Sequence, residues 1–177
     1  MTRSLMVTGG AGFIGVNFVY HWALTRPDDQ LVVLDALTYA GNRASLSSLE
    51  QTKRIRFVEG DICDAALVAQ VMAAHDIDTI VHFAAESHVD RSITGPDAFI
   101  RTNLEGTHTL LAAARQAWLI GSGREHRFHH VSTDEVYGAL TAADPPFTET
   151  TRYEPNSPYS ASKAGSDHLV RAYHHTY

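Results

Sequence analysis

The sequence predicts an α/β fold, a doubly wound parallel sheet with helices on both faces. Three observations predict it. Strand-like and helix-like segments alternate along the chain. The strand-like runs are apolar throughout, the pattern of strands covered on both sides. Glycines cluster directly behind the first such run, where a strand turns into a helix. The chain has 177 residues, 44% of them hydrophobic, enough for one domain with a sizeable core.

Ser4–Thr8 reads as the first strand and Phe13–Leu24 as the first helix. Leu31–Asp35 is a continuous apolar run that ends in an acid, hence a second strand, and Ile55–Glu59 is a third. Asp64–Ala74 is helix-like, with Asp64 as its N-cap. Thr79–Phe83 is the fourth strand. Pro96–Trp118 is a long helical stretch with Pro96 near its first turn. His126–Val131 is the fifth strand. Asn156 or Ser157 can cap a last helix that has Pro158 in its first turn and carries Tyr159, Lys163 and Leu169. Ala142–Pro146 is a turn-rich loop. No internal repeat, low-complexity tract or linker interrupts this order.

Composition narrows the function. The formal charge is −6 and basic residues form no run, so nucleic acid is not an expected partner. No apolar stretch approaches the ~20 residues of a membrane span. Cys63 is the single cysteine, so no internal disulfide forms and a reducing compartment is expected. Only Met1 to Arg3 precede the first strand, which leaves no room for a signal peptide. A cytoplasmic location is the expectation. Tyr177 falls inside a helical pattern without a Gly or Pro stop signal, so the chain is expected to be part of a longer protein.

The glycine cluster, Gly9-Gly10-Ala11-Gly12-Phe13-Ile14-Gly15, contains G-x-x-G-x-x-G between the first strand and the first helix. Glycines let the backbone turn tightly and approach a pyrophosphate, while the helix N-terminus presents free N–H groups. Asp35 follows about 20 residues on, as a dinucleotide site of Rossmann type requires. Its carboxylate can accept hydrogen bonds from ribose hydroxyls and would repel a 2′-phosphate, so NAD is favoured over NADP. Gly60-Asp61-Ile62 closes the third strand. Asp61 can reach an adenine and Ile62 can cover its face; Asp61 serves equally well as a helix-capping acid.

Two further patterns suggest proton transfers coupled to redox chemistry. Ser132-Thr133-Asp134-Glu135-Val136-Tyr137-Gly138 places two adjacent carboxylates just past the fifth strand. Ligands of open α/β sheets bind at that end of the strands, and an acid pair there has a substrate to act on. Tyr159 and Lys163 are i and i+4 on one helix face. A nearby ammonium favours phenolate, so Lys163 is expected to lower the pKa of Tyr159. The eleven histidines do not form a metal site by spacing: His129 and His130 are strand neighbours that point to opposite faces, and His174-His175 lacks partners. Cys63, near a helix start, is read as a small packed residue rather than a reactive thiol.

The motifs GGAGFIG at 9–15, LTYAGN at 37–42, GDI at 60–62, AAESHVDRSI at 84–93, TNLEGT at 102–107, STDEVYG at 132–138 and SPYSASKAGSDHLVRAY at 157–173 resemble the extended short-chain dehydrogenase/reductase family. The glycine and Tyr-x-x-x-Lys motifs are superfamily-wide. The AAESHVDRSI and STDEVYG blocks are narrower and resemble its NAD-dependent dTDP-glucose 4,6-dehydratase branch rather than its epimerases, which lack the Asp-Glu pair. A small departure is Val16, where the family commonly has Ser.

The resemblance implies NAD as a tightly held cofactor and dTDP-glucose as the nucleotide-sugar substrate. It implies that Tyr159 takes the proton of the sugar 4-hydroxyl while C4 gives hydride to NAD. Lys163 holds the nicotinamide ribose and tunes Tyr159, and Thr133 bonds the 4-hydroxyl. Glu135 removes the C5 proton, Asp134 protonates the departing C6 hydroxyl, and hydride returns to C6. Cofactor-lining positions implied are Gly9, Gly12, Phe13, Ile14, Gly15, Asp35, Ala36, Leu37, Thr38, Asp61, Ile62, Phe83, Ala84, Ala85, Ser87, Thr102, Tyr159 and Lys163. Ser87 and Thr133 face the sugar; His88 and Arg91 receive no catalytic role. The resemblance also implies a homodimer packed through Pro96–Trp118 and Ser157–Tyr177. A second, mostly C-terminal lobe grips the nucleotide sugar, and these 177 residues stop before it. Residues 1–177 are thus expected to form an incomplete NAD-binding domain. A dehydratase of another nucleotide sugar, or a non-catalytic NAD-binding module, is the alternative.

Overall fold

The computed structural model describes residues 2–123 and 125–177; Met1, in the short lead before the first strand, and Arg124 lie outside the described residues. Five parallel strands form one sheet in the order β3-β2-β1-β4-β5. They are β1 (Ser4–Thr8), β2 (Gln30–Asp35), β3 (Arg56–Glu59), β4 (Thr79–His82) and β5 (Arg127–His130). The chain builds outward from β1 to β3, then returns to the other side of β1 for β4 and β5. The order therefore reverses between β1 and β4, and ligands of such sheets bind at that switch. Register follows the apolar runs: Leu5 pairs with Leu31 on one side and Thr79 on the other.

Successive strand residues point to opposite faces, and each face has its own core. Met6, Val32, Leu34 and Ile80 pack against Val68, Val71 and Met72 of α3 (Ala65–Ala74), and against Leu110, Ala114 and Trp118. Leu5, Val7, Leu31, Val33 and Val81 pack against Val19 and Ala23 of α1 (Phe13–Thr25), with Leu46 and Leu49 beside them. Leu46 ends a 3₁₀ turn (Arg43–Leu46), and Leu49 belongs to α2 (Ser47–Gln51), two elements that the sequence pattern does not predict.

The long helix is one rod over 97–122. It comprises α5 (Asp97–Phe99), a π-type stretch (Ile100–Gly106), α6 (Thr107–Ala114) and a second π-type stretch (Arg115–Ser122). It passes the expected end at Trp118 and stops where Gly123 turns left-handed, φ +62°. A short helix, α4 (Val89–Thr94), precedes it and was not foreseen. Asp64 caps α3 by accepting from the N–H groups of Ala66 and Leu67. Ser157, not Asn156, caps α7 (Pro158–Thr176), in a reciprocal pair with Ser160 and with Pro158 in the first turn. Among the described residues no helix is long and apolar enough to cross a membrane.

Candidate active site

The glycine turn is built on close backbone approach. Gly9 has φ +69°, and a Cβ there would lie 2.5 Å from the amide nitrogen of Ala84, in the loop after β4. Gly15 is equally confined, since a Cβ would strike the Gly9 carbonyl. Gly9 N–H donates to the Leu34 carbonyl at 2.9 Å, so the turn is stitched to β2. Gly12 then caps α1 without a side chain, leaving the helix N-terminus open toward the switch point.

Asp35 sits at the end of β2 and is buried. Its Oδ2 accepts the Ala11 N–H at 2.8 Å, and its Oδ1 accepts the Leu37 N–H at 2.9 Å. One carboxylate thus fixes the glycine turn and the following loop, with acceptor capacity left for a ligand hydroxyl.

A cleft of about 560 Å³ opens over this turn. Gly9, Gly12, Phe13, Ile14 and Gly15 line it from the first βα turn, and Asp35, Ala36 and Thr38 from the second strand end. Asp61 and Ile62 form its far wall, and Phe83, Ala84, Ala85, Ser87 and Thr102 its near one. Tyr159 and Lys163 reach it from α7. Among the expected positions, Leu37 is not part of this lining. Leu37 takes φ +50° and turns its side chain into the apolar cluster beneath α1, away from the cleft. Leu34, Ala40, Gly41, Gly60, Glu86, Ala98, Arg101, Val131 and Ser132 line the cleft without having been singled out. Most adjoin motifs that were recognised; Arg101 and Ala98 carried no signal, because they enter from the rod.

At one end, Asp61 is ion-paired with Arg101 at 2.7 Å. Burial alone would raise the Asp61 pKa, but the Cys63 N–H and the Arg101 guanidinium bring it below the ordinary carboxylate value. The thiol of Cys63 donates to the Arg101 carbonyl, and burial pushes it up to about 12, so it behaves as a packed residue. Tyr39, in the loop after β2, stacks under the guanidinium of Arg91 from α4, 4.0 Å from the ring centroid, and so joins that loop to the short helix.

At the other end lie the reactive groups. Thr133 Oγ1 accepts the Glu135 N–H, and this cap starts a 3₁₀ turn (Asp134–Tyr137) that presents Asp134 exposed and Glu135 half-buried. Tyr159 is 8% exposed. Burial raises its pKa, the hydrogen bond with Thr133 opposes this, and the charges of Glu135 and Asp134 add to the rise. The expected lowering by Lys163 is absent. The Lys163 ammonium donates instead to the Val131 carbonyl at 2.7 Å, and burial brings its own pKa down to about 8.

Two buried groups hold this end together. Asn103, on the rod, accepts from Glu86 N–H, donates to the Glu86 carbonyl and to Ser162 Oγ, and so ties the loop after β4 to α7. His82 lies between Thr8 and Thr107. Thr107 donates its hydroxyl proton to the Asn103 carbonyl, so it accepts from Nε2–H of His82, and Nδ1 accepts from Thr8. His82 is therefore neutral, with its pKa driven well down by burial and then by His130 and Lys163. Among the described residues no three His, Cys, Asp or Glu side chains gather as a metal site.

A Rossmann-type sheet with a glycine-walled cleft at its switch point, a buried Tyr-x-x-x-Lys pair and an adjoining acid turn defines the class as a dinucleotide-binding short-chain dehydrogenase/reductase. Within it, the chain belongs to the family described as GDP-mannose 4,6 dehydratase, whose family model matches residues 6–177. It is 54% identical to dTDP-glucose 4,6-dehydratase 1 of Escherichia coli K12, over 98% of this chain and 51% of the relative. It is 60% identical to the dTDP-glucose 4,6-dehydratase of Xanthomonas campestris pv. campestris strain B100, over 97% of this chain and 49% of the relative. The crystal structure of the dTDP-glucose 4,6-dehydratase of Streptomyces venezuelae, with NAD bound, superposes with a TM-score of 0.89 at 54% identity, over 99% of this chain and 52% of that one. The chain spans about half the length of the curated relatives it matches.

Proposed function

We propose that residues 1–177 are the NAD-binding part of a nucleotide-sugar 4,6-dehydratase that converts dTDP-glucose to dTDP-4-keto-6-deoxyglucose. The observation that carries the reading is that Tyr159 and Lys163 line one end of a glycine-walled cleft beside Ser132, from which the Thr133-Asp134-Glu135 turn follows directly. The cleft suits NAD. Gly9 and Gly15 leave room that a Cβ would fill, the end of α1 is free of side-chain caps, and Asp35 opposes a 2′-phosphate. The relatives named dTDP-glucose 4,6-dehydratases, one crystallised with NAD, support the substrate and the cofactor.

NAD would supply the hydride acceptor for sugar C4 and the hydride later given to C6, with Glu135 returning its proton to C5 in that last step. The chain's own residues supply the proton transfers. Tyr159, buried at the cleft wall, takes the proton of the 4-hydroxyl. Lys163 is held at the cleft wall, where its ammonium can face a ribose and a phenolate. The C4 ketone acidifies the C5 proton, which Glu135 removes. Asp134 protonates the departing C6 hydroxyl. Adjacent carboxyls suit this division, because one can hold a proton while the other stays ionised. Ser87 and Thr133 face the sugar.

A homodimer and a cytoplasmic location are part of the proposal. Ile100, Leu119 and Ile120 are exposed apolar side chains on the rod, and Arg115 stacks on Tyr177 of the terminal segment, 3.9 Å from the ring centroid. These features support pairing through the rod and α7. Sedimentation at micromolar concentration should give twice the chain mass; a monomer counts against pairing.

The description of the matching family favours a second reading, a 4,6-dehydratase of another nucleotide sugar such as GDP-mannose. Purified protein is incubated with NAD and either dTDP-glucose or GDP-mannose, and the alkali-induced absorbance of a 4-keto-6-deoxy product is read with the intact mass of the same sample. Product from dTDP-glucose supports the first reading, and product from GDP-mannose alone the second. NAD retained without product limits the chain to a cofactor-binding role. The absence of both product and NAD binding overturns the assignment.

A further inference from the structure

We propose that Asp167 is a positioning residue whose carboxylate fastens both ends of the segment carrying Thr133, Asp134 and Glu135 to the helix carrying Tyr159 and Lys163. The proposal rests on the roles given to those residues above.

Asp167 lies one helical turn beyond Lys163 on the same face of α7, and its side chain is 12% exposed. Its Oδ2 accepts two hydroxyl protons, from Ser132 at 2.6 Å and from Tyr153 at 2.9 Å. His130 Nε2, at the end of β5, lies 3.1 Å from Oδ1. Ser132 immediately precedes Thr133. Tyr153 packs edge-on against Tyr137, the last residue of the acid turn, with ring centroids 5.2 Å apart. The next amide, Glu154 N–H, donates to the Val136 carbonyl at 2.9 Å. The chain thus leaves Asp167 at Ser132, makes the acid turn, and comes back to the same carboxylate oxygen at Tyr153.

Burial alone would raise the Asp167 pKa, but His130, Ser132 and Tyr153 outweigh it and hold the carboxyl below its ordinary value. Both hydroxyl bonds converge on the one oxygen Oδ2, so removing that acceptor frees both segments at once. Tyr159 and the two acids act in turn on one sugar, so the distance between α7 and the turn must stay fixed through the reaction. The loss from a displacement of ~1 Å can reach about 10²-fold in rate. The established pieces of the site do not use Asp167, and a helix-surface acid would not gather donors from two separate segments.

The test measures position and turnover separately. Amide hydrogen exchange is followed in the wild-type protein, Asp167→Ala, Ser132→Ala and Tyr153→Phe. Asp167→Ala, which removes the acceptor of both hydroxyls, is expected to speed exchange at the amides of 135–138 by about tenfold or more, with β1 unchanged. Each single donor variant should give part of that effect. If Asp167→Ala does not fold by circular dichroism, the Ser132→Ala/Tyr153→Phe double variant, which keeps the aspartate, carries the same expectation. In turnover, kcat should fall about 10- to 100-fold with KM within about twofold. Reduced nicotinamide should then accumulate, because the first transfer outruns elimination. Unchanged exchange at 135–138 in the folded variants overturns the proposal, whatever happens to the rate. Wild-type protein inactive on every sugar tried would count against the dehydratase reading, while the exchange data would still decide the role of Asp167.

Discussion

Lys163 of the terminal helix donates its ammonium proton to the carbonyl of Val131, 2.7 Å away at the end of the fifth strand. The bond crosses from helix to sheet beneath the reactive groups. A charge with only 4% exposure costs stability, and burial accordingly moves its pKa from 10.5 to about 8.

Lys163→Met should therefore stabilise the fold while removing activity. Replacing a buried charge by an apolar chain of similar length relieves desolvation, and the Val131 carbonyl loses one partner. The net gain should be about 1–2 kcal/mol in urea titration, and NAD affinity should fall in calorimetry. A loss of stability of that size would mean that the Val131 bond outweighs burial.

Gly9→Ala should damage the turn that the cofactor needs. The backbone is left-handed there, φ +69°, and a Cβ would press against the Ala84 amide at 2.5 Å. Neither can relax without parting the ends of β1 and β4. The expected cost is about 1–3 kcal/mol, with NAD binding lost before the fold is. Thermal melts with and without NAD check this; a normal NAD-induced shift in the variant would contradict it.

Asp134→Asn and Glu135→Gln should slow elimination and spare the first transfer. The Tyr159–Thr133 contact does not require either acid, and both substitutions keep side-chain size. Stopped-flow absorbance should show reduced nicotinamide building up in each variant, with overall rate down about 10²- to 10⁴-fold. Loss of that signal in both would contradict the assigned roles.

Stability should fall on mild acidification, chiefly through His82. Burial keeps this residue neutral in the folded chain, with its pKa well below 6.5. The unfolded chain binds a proton there below about pH 6.5, so it holds more protons than the fold, and acid favours unfolding. The slope from this one site approaches about 1.4 kcal/mol per pH unit between pH 6 and 5. His75 and His130 are displaced in the same direction, each chiefly by burial. His82→Gln should flatten the urea-midpoint curve over that range without levelling it. An unchanged slope would show that His82 is charged or solvated in the fold.

The strands and the glycine turn were legible because they rest on local pattern. Continuous apolar runs, a glycine spacing and an acid at the end of β2 are all written within a few residues of each other. The left-handed backbone of Leu37, whose N–H is accepted by the Asp35 carboxylate, is a detail that a motif does not show. The bond of Lys163 to Val131 is hidden for a related reason. Helical spacing predicts that two side chains share a face, and cannot show that one is claimed by a carbonyl from another strand. Asn103 and Asp167 left no trace in periodicity, since their partners lie 17 to 59 and 14 to 35 residues away in the chain.

The stack of Arg91 on Tyr39 ties α4 to the loop after β2 with modest strength. A cation–π contact at an exposed site is worth about 0.5–1 kcal/mol, which favours the joined pair over the parted one only about two- to fivefold. The loop and the short helix therefore hold each other lightly, and long residence of a dinucleotide has to come from the glycine turn and the buried walls of the cleft.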